Sequence, residues 1–184
     1  MSDEPNLVLI GFMGTGKSTV GRECARILGF RFRDSDRLVE QRAGKSVAAI
    51  FEEDGEAVFR EMESSAIRTL AATNPLVLST GGGAPMDPAN IARLRRKGFV
   101  VLLWTDPRAI LVRIGNPASR PLLDMGRTNP EARITELLAI RETVYRSAAD
   151  ATIDTTSLTR QQTVERVIAA YEEGKGTARF RRPN

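Results

Sequence analysis

A glycine-rich segment near the start of the chain constrains the fold more than any other feature. It runs Gly11-Phe12-Met13-Gly14-Thr15-Gly16-Lys17-Ser18-Thr19 and follows the apolar run Leu7-Val8-Leu9-Ile10. The pattern G-x-x-x-x-G-K-[ST] turns successive backbone N–H groups towards a phosphate, and the helix that it opens adds the positive end of its dipole. Lys17 would reach the β- and γ-phosphates, and the Ser18 hydroxyl would bind Mg²⁺. The alternative is a glycine turn with an incidental Lys-Ser pair, but the strand before it and the amphipathic stretch after it favour a phosphate-binding loop.

Length and composition favour a single α/β domain. The chain has 184 residues, 41% of them hydrophobic, which is enough for one core and too little for two full domains. No apolar run approaches the ~20 residues that span a bilayer, and the acidic start Ser2-Asp3-Glu4-Pro5 differs from a signal peptide. We therefore expect a cytoplasmic protein with no membrane partner.

The absence of histidine and the single cysteine limit which catalytic mechanisms and metal sites the chain can have. The chain has no histidine, which excludes histidine-based general base catalysis and the usual zinc sites. Its single cysteine, Cys24, follows the glycine-rich segment on the predicted helix, and we interpret it as a small buried residue. Carboxylates, arginines and Mg²⁺ are left to carry any catalysis.

The net charge of +4 has a local source. The end of the chain, 174–184, holds four basic residues and no acid, so the rest of the chain is neutral. A neutral body without a basic helix or interleaved aromatic residues argues against a nucleic-acid partner, and we interpret the basic end as a flexible, solvated tail. Arginine supplies 23 of the 27 basic residues, which fits either a protein that binds phosphates and carboxylates or a genome-wide composition bias.

Apolar runs that alternate with helical patterns predict a doubly wound parallel sheet. The predicted strands are 7–10, 30–33, 76–78, 99–104 and 151–153, with helices at 17–28 and 161–171 among those that connect or close them. Three more helices are predicted to start at Asp87-Pro88, Asp106-Pro107 and Asn129-Pro130, because each dipeptide places a capping side chain before a proline.

Residues 37–74 form a predicted helical insertion. Leu38 and Val39 lie on its first piece, Ser46 is predicted to cap a second helix, and Asp54-Gly55 is predicted to break the pattern before a third. Within it, Phe51 and Phe59 would either line an apolar part of a ligand site or pack as ordinary core residues.

Two acids follow the second predicted strand. Asp34 and Asp36 lie at its carboxyl end, where ligands of open α/β sheets bind. Phosphoryl transfer to a hydroxyl needs one carboxylate near the metal and one that accepts the hydroxyl proton, and these two acids can divide the roles. Alternatively, either acid caps the next helix.

Arg60 and Glu63 lie three residues apart on one predicted helix and can pair. As an exposed pair they would contribute less than ~1 kcal/mol to stability. Alternatively, Glu63 holds the guanidinium of Arg60 towards an acidic ligand.

The stretch 115–129 is rich in loop-forming residues and carries Arg120. A loop of this length in a compact domain is usually functional, and an arginine among hinge-like glycines suits a lid that closes over a triphosphate. The alternative is a solvent-exposed connector.

Taken together, these motifs resemble the shikimate kinase family in order and spacing. The resemblance covers residues 7–169 and rests on seven segments, of which only the glycine-rich one is specific by itself. They are the segment 11–19, Asp34-Ser35-Asp36, Ile50-Phe51 with Asp54-Gly55-Glu56, Phe59-Arg60 with Glu63, Gly81-Gly82-Gly83, Arg120-Pro121-Leu122-Leu123, and Arg141 with Tyr145.

The resemblance implies an α/β P-loop kinase fold similar to that of nucleoside monophosphate kinases. It implies a parallel sheet of order 2-3-1-4-5 with helices on both faces, in one domain with a core over 6–173. It also implies a substrate-binding insert over about 35–74, a lid over about 114–128 and a flexible tail over 174–184.

The activity implied by the resemblance is ATP-dependent phosphorylation of the 3-hydroxyl of shikimate, a step towards chorismate and the aromatic amino acids. The ATP phosphates would be bound by Gly14, Thr15, Gly16, Lys17, Ser18 and Thr19. Ser18 would hold Mg²⁺, which Asp34 would reach through water. Lys17 and the lid residue Arg120 would neutralise the charge of the transferred phosphoryl group.

The resemblance also implies the shikimate-binding residues. Asp36 would bind the reacting hydroxyl and act as its base, and Arg60 and Arg141 would clamp the carboxylate. The substrate would be lined by Gly81, Gly82 and Gly83, of which Gly82 and Gly83 would offer backbone amides.

The adenine contact is left open. Arg113 fits the family pattern, but Thr159-Arg160-Gln161 departs from the proline-containing segment expected there. We expect a monomer whose partners are ATP and shikimate.

Other classes of protein would show different features. A gluconate-type or nucleotide kinase would share the loop and the lid but would not need an arginine on the insert matched to Arg141. A regulatory GTPase would require an Asn-Lys-x-Asp motif, which the sequence lacks. An RNA-binding module based on the basic tail is disfavoured by the neutral body.

Overall fold

Five parallel strands form the centre of the fold. They are β1 (Asn6–Ile10), β2 (Arg31–Asp34), β3 (Leu76–Ser79), β4 (Gly98–Trp104) and β5 (Ala151–Asp154). The sheet order is β2-β3-β1-β4-β5, with every pair parallel, which confirms the predicted topology. The structure is a computed structural model that describes residues 4–73, 75–115, 129–177 and 180.

Helices cover both faces of this sheet. Within the described ranges they are α1 (Lys17–Leu28), α2 (Ser35–Ala43), α3 (Val47–Glu53), α4 (Gly55–Ala71), α5 (Pro88–Lys97), α6 (Pro107–Ile114), α7 (Pro130–Ala148) and α8 (Arg160–Gly174), together with a 3₁₀ turn at Ala84–Met86. None of them is long and apolar enough to cross a bilayer.

The central strand β1 divides the core into two layers. Leu7 and Leu9 point to the side covered by α1 and α8, whereas Val8 and Ile10 point to the side covered by α4, α5 and α7. Because side chains alternate along a strand, a run of apolar residues buried on both faces is what a central parallel strand requires. Cys24 belongs to the α1 layer and is fully buried, as predicted; burial raises the pKa of its thiol to about 12.

The predicted helix starts are confirmed by their capping bonds. The side chains of Asp87, Asp106 and Asn129 accept hydrogen bonds from backbone amides of the first turn at 2.8, 2.8 and 3.1 Å. Strand β2 lies one residue later than predicted, because the amide of Phe30 donates to the carbonyl of Ala25 and thus closes the end of α1.

The insertion divides into α2, α3 and α4 at the predicted positions. Ser46 caps α3 through a bond from the amide of Ala49 at 3.2 Å, and Gly55, with a φ of +86°, makes the turn into α4. A small separate core of Val39, Ile50, Phe59 and Ala66 holds the three helices together. The insertion is therefore a packed group of three helices with its own small core, and it follows the edge strand β2.

The end of α8 packs against the segment before β1. The Tyr171 hydroxyl donates to the Pro5 carbonyl at 2.7 Å, and Lys175 pairs with Glu4 at 3.1 Å. Helix α8 reaches Gly174, the first residue of the predicted tail. Gly174 and Lys175, the first two residues of the predicted tail, are therefore packed against the rest of the fold.

Asn6 joins the start of β3 to the centre of the sheet. Its buried side chain donates to the Thr73 carbonyl at 2.8 Å and accepts from the Leu76 amide at 3.0 Å. Asn6→Ala leaves both backbone groups without their partner, so we expect the free energy of unfolding in urea to fall by about 2–4 kcal/mol. Gln161→Ala, which removes an exposed amide that donates to Glu165, should change the free energy of unfolding by less than ~0.5 kcal/mol. Equal effects of the two substitutions would contradict this role of Asn6.

Candidate active site

Two adjoining cavities lie at the carboxyl edge of the sheet. The larger, here called the loop cavity, has a volume of about 530 Å³ and is lined by residues 13–20 together with side chains that follow β2, β3 and β5. The smaller, here called the insert cavity, has a volume of about 110 Å³ and lies between the insertion, the triple glycine and α7. Met13, Asp36 and Gly82 line both cavities, so a group bound in one would face a group bound in the other.

The glycine-rich loop has the geometry of an anion site. Gly11, Gly14 and Gly16 have φ values of +138°, +78° and +91°, which L-residues with side chains rarely adopt. Gly16 starts α1 without any side-chain cap, so the first turn of α1 presents its amides to the loop cavity. The ammonium of Lys17 donates to the carbonyls of Gly11 and Phe12 at 2.8 and 2.7 Å, which holds it against the loop.

The predicted capping role of Asp34 is confirmed, and its carboxylate also contacts Ser18, the other predicted metal ligand. One carboxylate oxygen accepts the amides of Asp36 and Arg37 at 3.1 and 3.4 Å and so caps α2, while the other accepts the Ser18 hydroxyl at 2.7 Å. The Ser79 hydroxyl lies 3.3 Å from that of Ser18. These oxygen atoms on the wall of the loop cavity are the hard donors that Mg²⁺ prefers.

Asp36 lies where the two cavities meet. Burial, and secondarily the charge of Asp34, raises the pKa of its carboxyl to about 6. The Ser35 hydroxyl approaches one of its oxygens only at 3.4 Å, so the carboxylate stays available to a ligand. A carboxylate with a pKa near the working pH is suited to accept a proton.

Arg60 and Glu63 do not form the exposed pair considered from sequence. Glu63 is buried, with 1% of its surface exposed, and accepts from Arg60 at 2.8 Å. Arg60 also donates twice to Glu56, and its guanidinium carbon lies 5.2 Å from the ring centre of Phe59. Burial raises the pKa of Glu63 to about 6, with the charge of Asp36 adding to the rise.

The insert cavity contains unpaired polar atoms of opposite character. Arg141 is 7% exposed, with its guanidinium carbon 5.5 Å from the ring centre of Phe12. One terminal nitrogen of Arg141 and the Oε1 of Glu63 have no hydrogen-bond partner among the described residues. Because an unpaired buried charge is costly, these atoms indicate that a ligand with an anionic group and a donor completes the cavity.

Phe51 and Phe59, for which the sequence left both a ligand site and core packing open, line the insert cavity and pack against each other. Their ring centres are 4.7 Å apart. Phe59 belongs to the core of the insertion as well. The cavity therefore has an apolar wall opposite its charged groups, which suits a ring that carries a carboxylate.

The triple glycine approaches the charged side chains closely. A Cβ at Gly81 would lie 2.6 Å from an Asp36 oxygen, and one at Gly83 would lie 2.6 Å from the guanidinium carbon of Arg60. The amide of Gly81 donates to the Ser35 hydroxyl at 2.8 Å. Within the described residues, no hydrogen bond is donated by the amides of the other two predicted substrate-lining glycines, Gly82 and Gly83, and the missing Cβ of Gly81 leaves room for the Asp36 and Glu63 carboxylates.

Arg113 lies at another part of the loop cavity, where the end of β5 meets α8. Its guanidinium donates to the Thr155 carbonyl at 2.6 Å and to the Thr155 and Thr105 hydroxyls at 2.9 and 3.2 Å. Arg160 lines the same cavity, together with Leu158. The predicted lid, including Arg120, lies outside the described residues apart from its first two positions.

Sequence reasoning missed several residues of the site. Ser35, Ser79 and Thr155 line it or bind its residues, and the position of each at or after the carboxyl end of a strand could have indicated this. Val47 and Leu158, which also line the cavities, carried no such signal.

The fold and the two cavities define a P-loop phosphotransferase with an adjoining site for a small acidic acceptor. A family model described as Shikimate kinase matches residues 13–172. On this match and on the relatives below, the chain belongs to the shikimate kinase family.

Known proteins support this assignment. A shikimate kinase from Caldanaerobacter subterraneus subsp. tengcongensis is 47% identical over 93% of this chain and 98% of the relative. The structure of a shikimate kinase from Acinetobacter baumannii in complex with shikimate aligns with a TM-score of 0.88 at 37% identity, over 95% of this chain and 96% of that one. A gluconokinase from Sinorhizobium meliloti aligns with a TM-score of 0.57 at 16% identity, over 93% and 94%, and shares the fold alone.

Because the pKa of Asp36 is raised, the free energy of unfolding should depend on pH through this residue. The folded-state pKa of about 6 lies above the usual 3.8, so the contribution of Asp36 to stability is full below pH 4 and is lost as the pH rises through 6. Asp36→Asn, which mimics the protonated acid, should therefore raise the free energy of unfolding at pH 7 by about 1–3 kcal/mol and bring no gain at pH 4.

Asp154→Asn is the matched control in urea titrations at the two pH values. Hydrogen bonds from Thr156 lower the pKa of Asp154, so its replacement should reduce stability at pH 7. If Asp36→Asn also reduced stability at pH 7, burial of the Asp36 charge would not be the cause of its raised pKa.

Proposed function

We propose that this enzyme transfers the γ-phosphoryl group of ATP to the 3-hydroxyl of shikimate and so forms shikimate 3-phosphate and ADP. The observation that carries the proposal is the unpaired guanidinium nitrogen of Arg141, buried in a small cavity that shares Asp36 with the glycine-rich loop. Shikimate combines the carboxylate that this nitrogen lacks with a hydroxyl that can face Asp36.

ATP would bind in the loop cavity. Its β- and γ-phosphates would accept the amides of the first turn of α1 and the ammonium of Lys17, with Gly14, Thr15, Gly16, Ser18 and Thr19 around them. The adenine would lie towards Arg113 and Arg160, which line the same cavity. Since Arg113 is held by Thr105 and Thr155, it would offer a fixed planar surface to the base.

Shikimate would bind in the insert cavity. Arg60 and Arg141 would hold its carboxylate, and Gly82 and Gly83 would donate their amides to it or to its hydroxyls. The unpaired Oε1 of Glu63 would accept from a ring hydroxyl, since this atom otherwise has no partner in the described part of the chain. The rings of Phe51 and Phe59 would pack against the carbon ring.

The transfer would take place where the cavities meet. Asp36 would accept the proton of the 3-hydroxyl while the hydroxyl oxygen forms a bond to the γ-phosphorus. At the same time the bond from that phosphorus to the β–γ bridging oxygen would break, and ADP would leave. Lys17 would stabilise the negative charge that develops on the phosphate oxygens. Arg120 would add a second positive charge if the proposed lid closes over the site.

Mg²⁺ fits the oxygen donors on the wall of the loop cavity. Ser18 would bind it directly and Asp34 through water, in line with the 2.7 Å contact between them. The described residues contain no group of three acids, histidines or cysteines that could hold a metal by themselves, and Mg²⁺ in kinases is usually completed by phosphate oxygens and water. When bound, it would neutralise part of the triphosphate charge and polarise the γ-phosphoryl group.

Several finer features belong to the same proposal. The substrate-binding insert would extend over about 35–74, the lid over about 114–128 and the flexible tail to 184. A cytoplasmic location and a monomeric state stay predictions from the sequence. A gluconate-type kinase is the alternative, but an open-chain sugar acid gives no reason for the paired phenylalanine rings of the insert cavity.

A substrate panel tests the proposal. We expect ADP release to be fast with shikimate and at least ~100-fold slower with gluconate or nucleoside monophosphates, because only shikimate carries its carboxylate on a carbon ring that would fill the space between the two guanidinium groups and the phenylalanine rings. Asp36→Asn serves as the inactive control, since it should keep ATP affinity while losing most of kcat. Comparable rates with gluconate would favour the alternative.

Arg141 should affect one substrate only. Removing a guanidinium that binds a carboxylate in a buried site costs about 2–4 kcal/mol, so Arg141→Ala should raise the KM for shikimate about 30- to 1000-fold and leave the KM for ATP within about twofold. Arg146→Ala is the matched control, because Arg146 lies on the same helix and pairs with Glu142 outside both cavities. An equal rise in both KM values for Arg141→Ala would contradict a carboxylate clamp.

A further inference from the structure

Tyr145 has a buried hydroxyl to which the proposed function gives no role. It lies one helical turn after Arg141 on α7, so the two side chains project from the same face of that helix. The side chain of Tyr145 is fully buried, and its hydroxyl donates to the Gly82 carbonyl at 2.5 Å. This bond joins α7 to the triple glycine across 63 positions of the sequence.

The side chains of Tyr145 and Arg141 are close neighbours. The positive charge of Arg141 opposes the rise in the pKa of the Tyr145 hydroxyl, and one terminal nitrogen of Arg141 has no partner among the described residues. The bond from Tyr145 to Gly82 therefore ties the turn of α7 that carries Arg141 to the triple glycine. Burial raises the pKa of Tyr145 above its usual value, so the hydroxyl remains a donor at physiological pH.

A second side chain holds the triple glycine from its other end. The Ser35 hydroxyl accepts the amide of Gly81 at 2.8 Å, and Ser35 is fully buried. The bond to the Gly82 carbonyl fixes the peptide plane that carries the Gly83 amide, and a bond from the Ala84 amide to the Gly81 carbonyl at 3.2 Å fixes the plane that carries the Gly82 amide. The Ser35 bond fixes the peptide plane just before Gly81. Because glycines are otherwise the most flexible residues of a chain, a loop that must aim its amides needs such contacts.

We propose that Tyr145 is a positioning residue that holds the turn of α7 carrying Arg141 against the triple glycine before substrate binds. This inference rests on the proposed function, in which both groups bind shikimate. Donors that are already fixed strengthen binding, because their conformational entropy has been lost before the ligand binds and does not reduce its affinity. Tyr145 should therefore affect the affinity for the acidic substrate and leave the binding of ATP unchanged.

The chain provides its own matched control. Its two tyrosines, Tyr145 and Tyr171, are both fully buried, and each donates to a backbone carbonyl distant in sequence. Tyr171 binds the Pro5 carbonyl, away from both cavities. Removing either hydroxyl should lower stability, but only the Tyr145 hydroxyl bonds to a residue that is proposed to bind the substrate.

The experiment compares Tyr145→Phe with Tyr171→Phe in steady-state kinetics and thermal unfolding. We expect both variants to lower Tm, and only Tyr145→Phe to raise the KM for shikimate, by about tenfold, with the KM for ATP unchanged within about twofold. The ratio of kcat/KM for shikimate to that for its methyl ester should also fall about tenfold in Tyr145→Phe, because Arg141, which Tyr145 positions, binds the carboxylate that the ester lacks.

An unchanged shikimate KM and ester ratio in Tyr145→Phe, together with a lowered Tm, would overturn the inference and leave Tyr145 a structural residue. Failure of the wild-type enzyme to use shikimate would instead overturn the proposed function. Should Tyr145→Phe not fold, amide hydrogen exchange of Gly81, Ala84 and Met86 in the wild-type enzyme decides the matter, because these three amides bond to Ser35 and to the carbonyls of Gly81 and Gly83. Protection of these amides that is already present without shikimate supports prior positioning, and protection that arises only with shikimate contradicts it.

Discussion

The carboxylate of Asp34 joins the two halves of the site. One of its oxygens holds the Ser18 hydroxyl on the phosphate-binding loop, and the other caps the first helix of the insertion. Asp36 lies in the first turn of that helix, so the same carboxylate fixes the distance between the proposed base and the loop. The position of the acceptor relative to the phosphate thus depends on a side chain that need not touch either substrate directly.

The insert cavity holds charge that the ligand-free fold does not neutralise. Asp36 and Glu63 both have a raised pKa because of burial, and a donor nitrogen of Arg141 has no partner in the described structure. A core made only for stability would replace such groups with apolar side chains. These groups lie beside a small cavity, and the two apolar core layers of the sheet provide stability elsewhere. This is the pattern of a site in which the substrate supplies the partner of the buried charges.

Local chemistry made much of this structure predictable. Capping acids before proline placed three helix starts, and the apolar run of β1 indicated a central strand because no polar face interrupts it. What could not be predicted depends on contacts between distant segments. The spacing of Arg60 and Glu63 is the same whether the pair is exposed or buried, and only the packing of α4 against the triple glycine buries Glu63. The bond between Ser35 and Gly81 likewise joins residues 46 positions apart, beyond any local pattern.

The contact between Tyr171 and Pro5 has a consequence for how the chain folds during its synthesis. It spans 166 positions, and the central strand that follows Pro5 must also wait for β3 and β4, whose partners in register lie about 70 to 90 residues later. The first strand to leave the ribosome is therefore among the last to be enclosed. Until β3 and β4 are made, both edges of this apolar strand stay open, and the face that α8 covers stays accessible until that helix follows. Open edges and uncovered apolar faces of this kind favour association between incomplete chains.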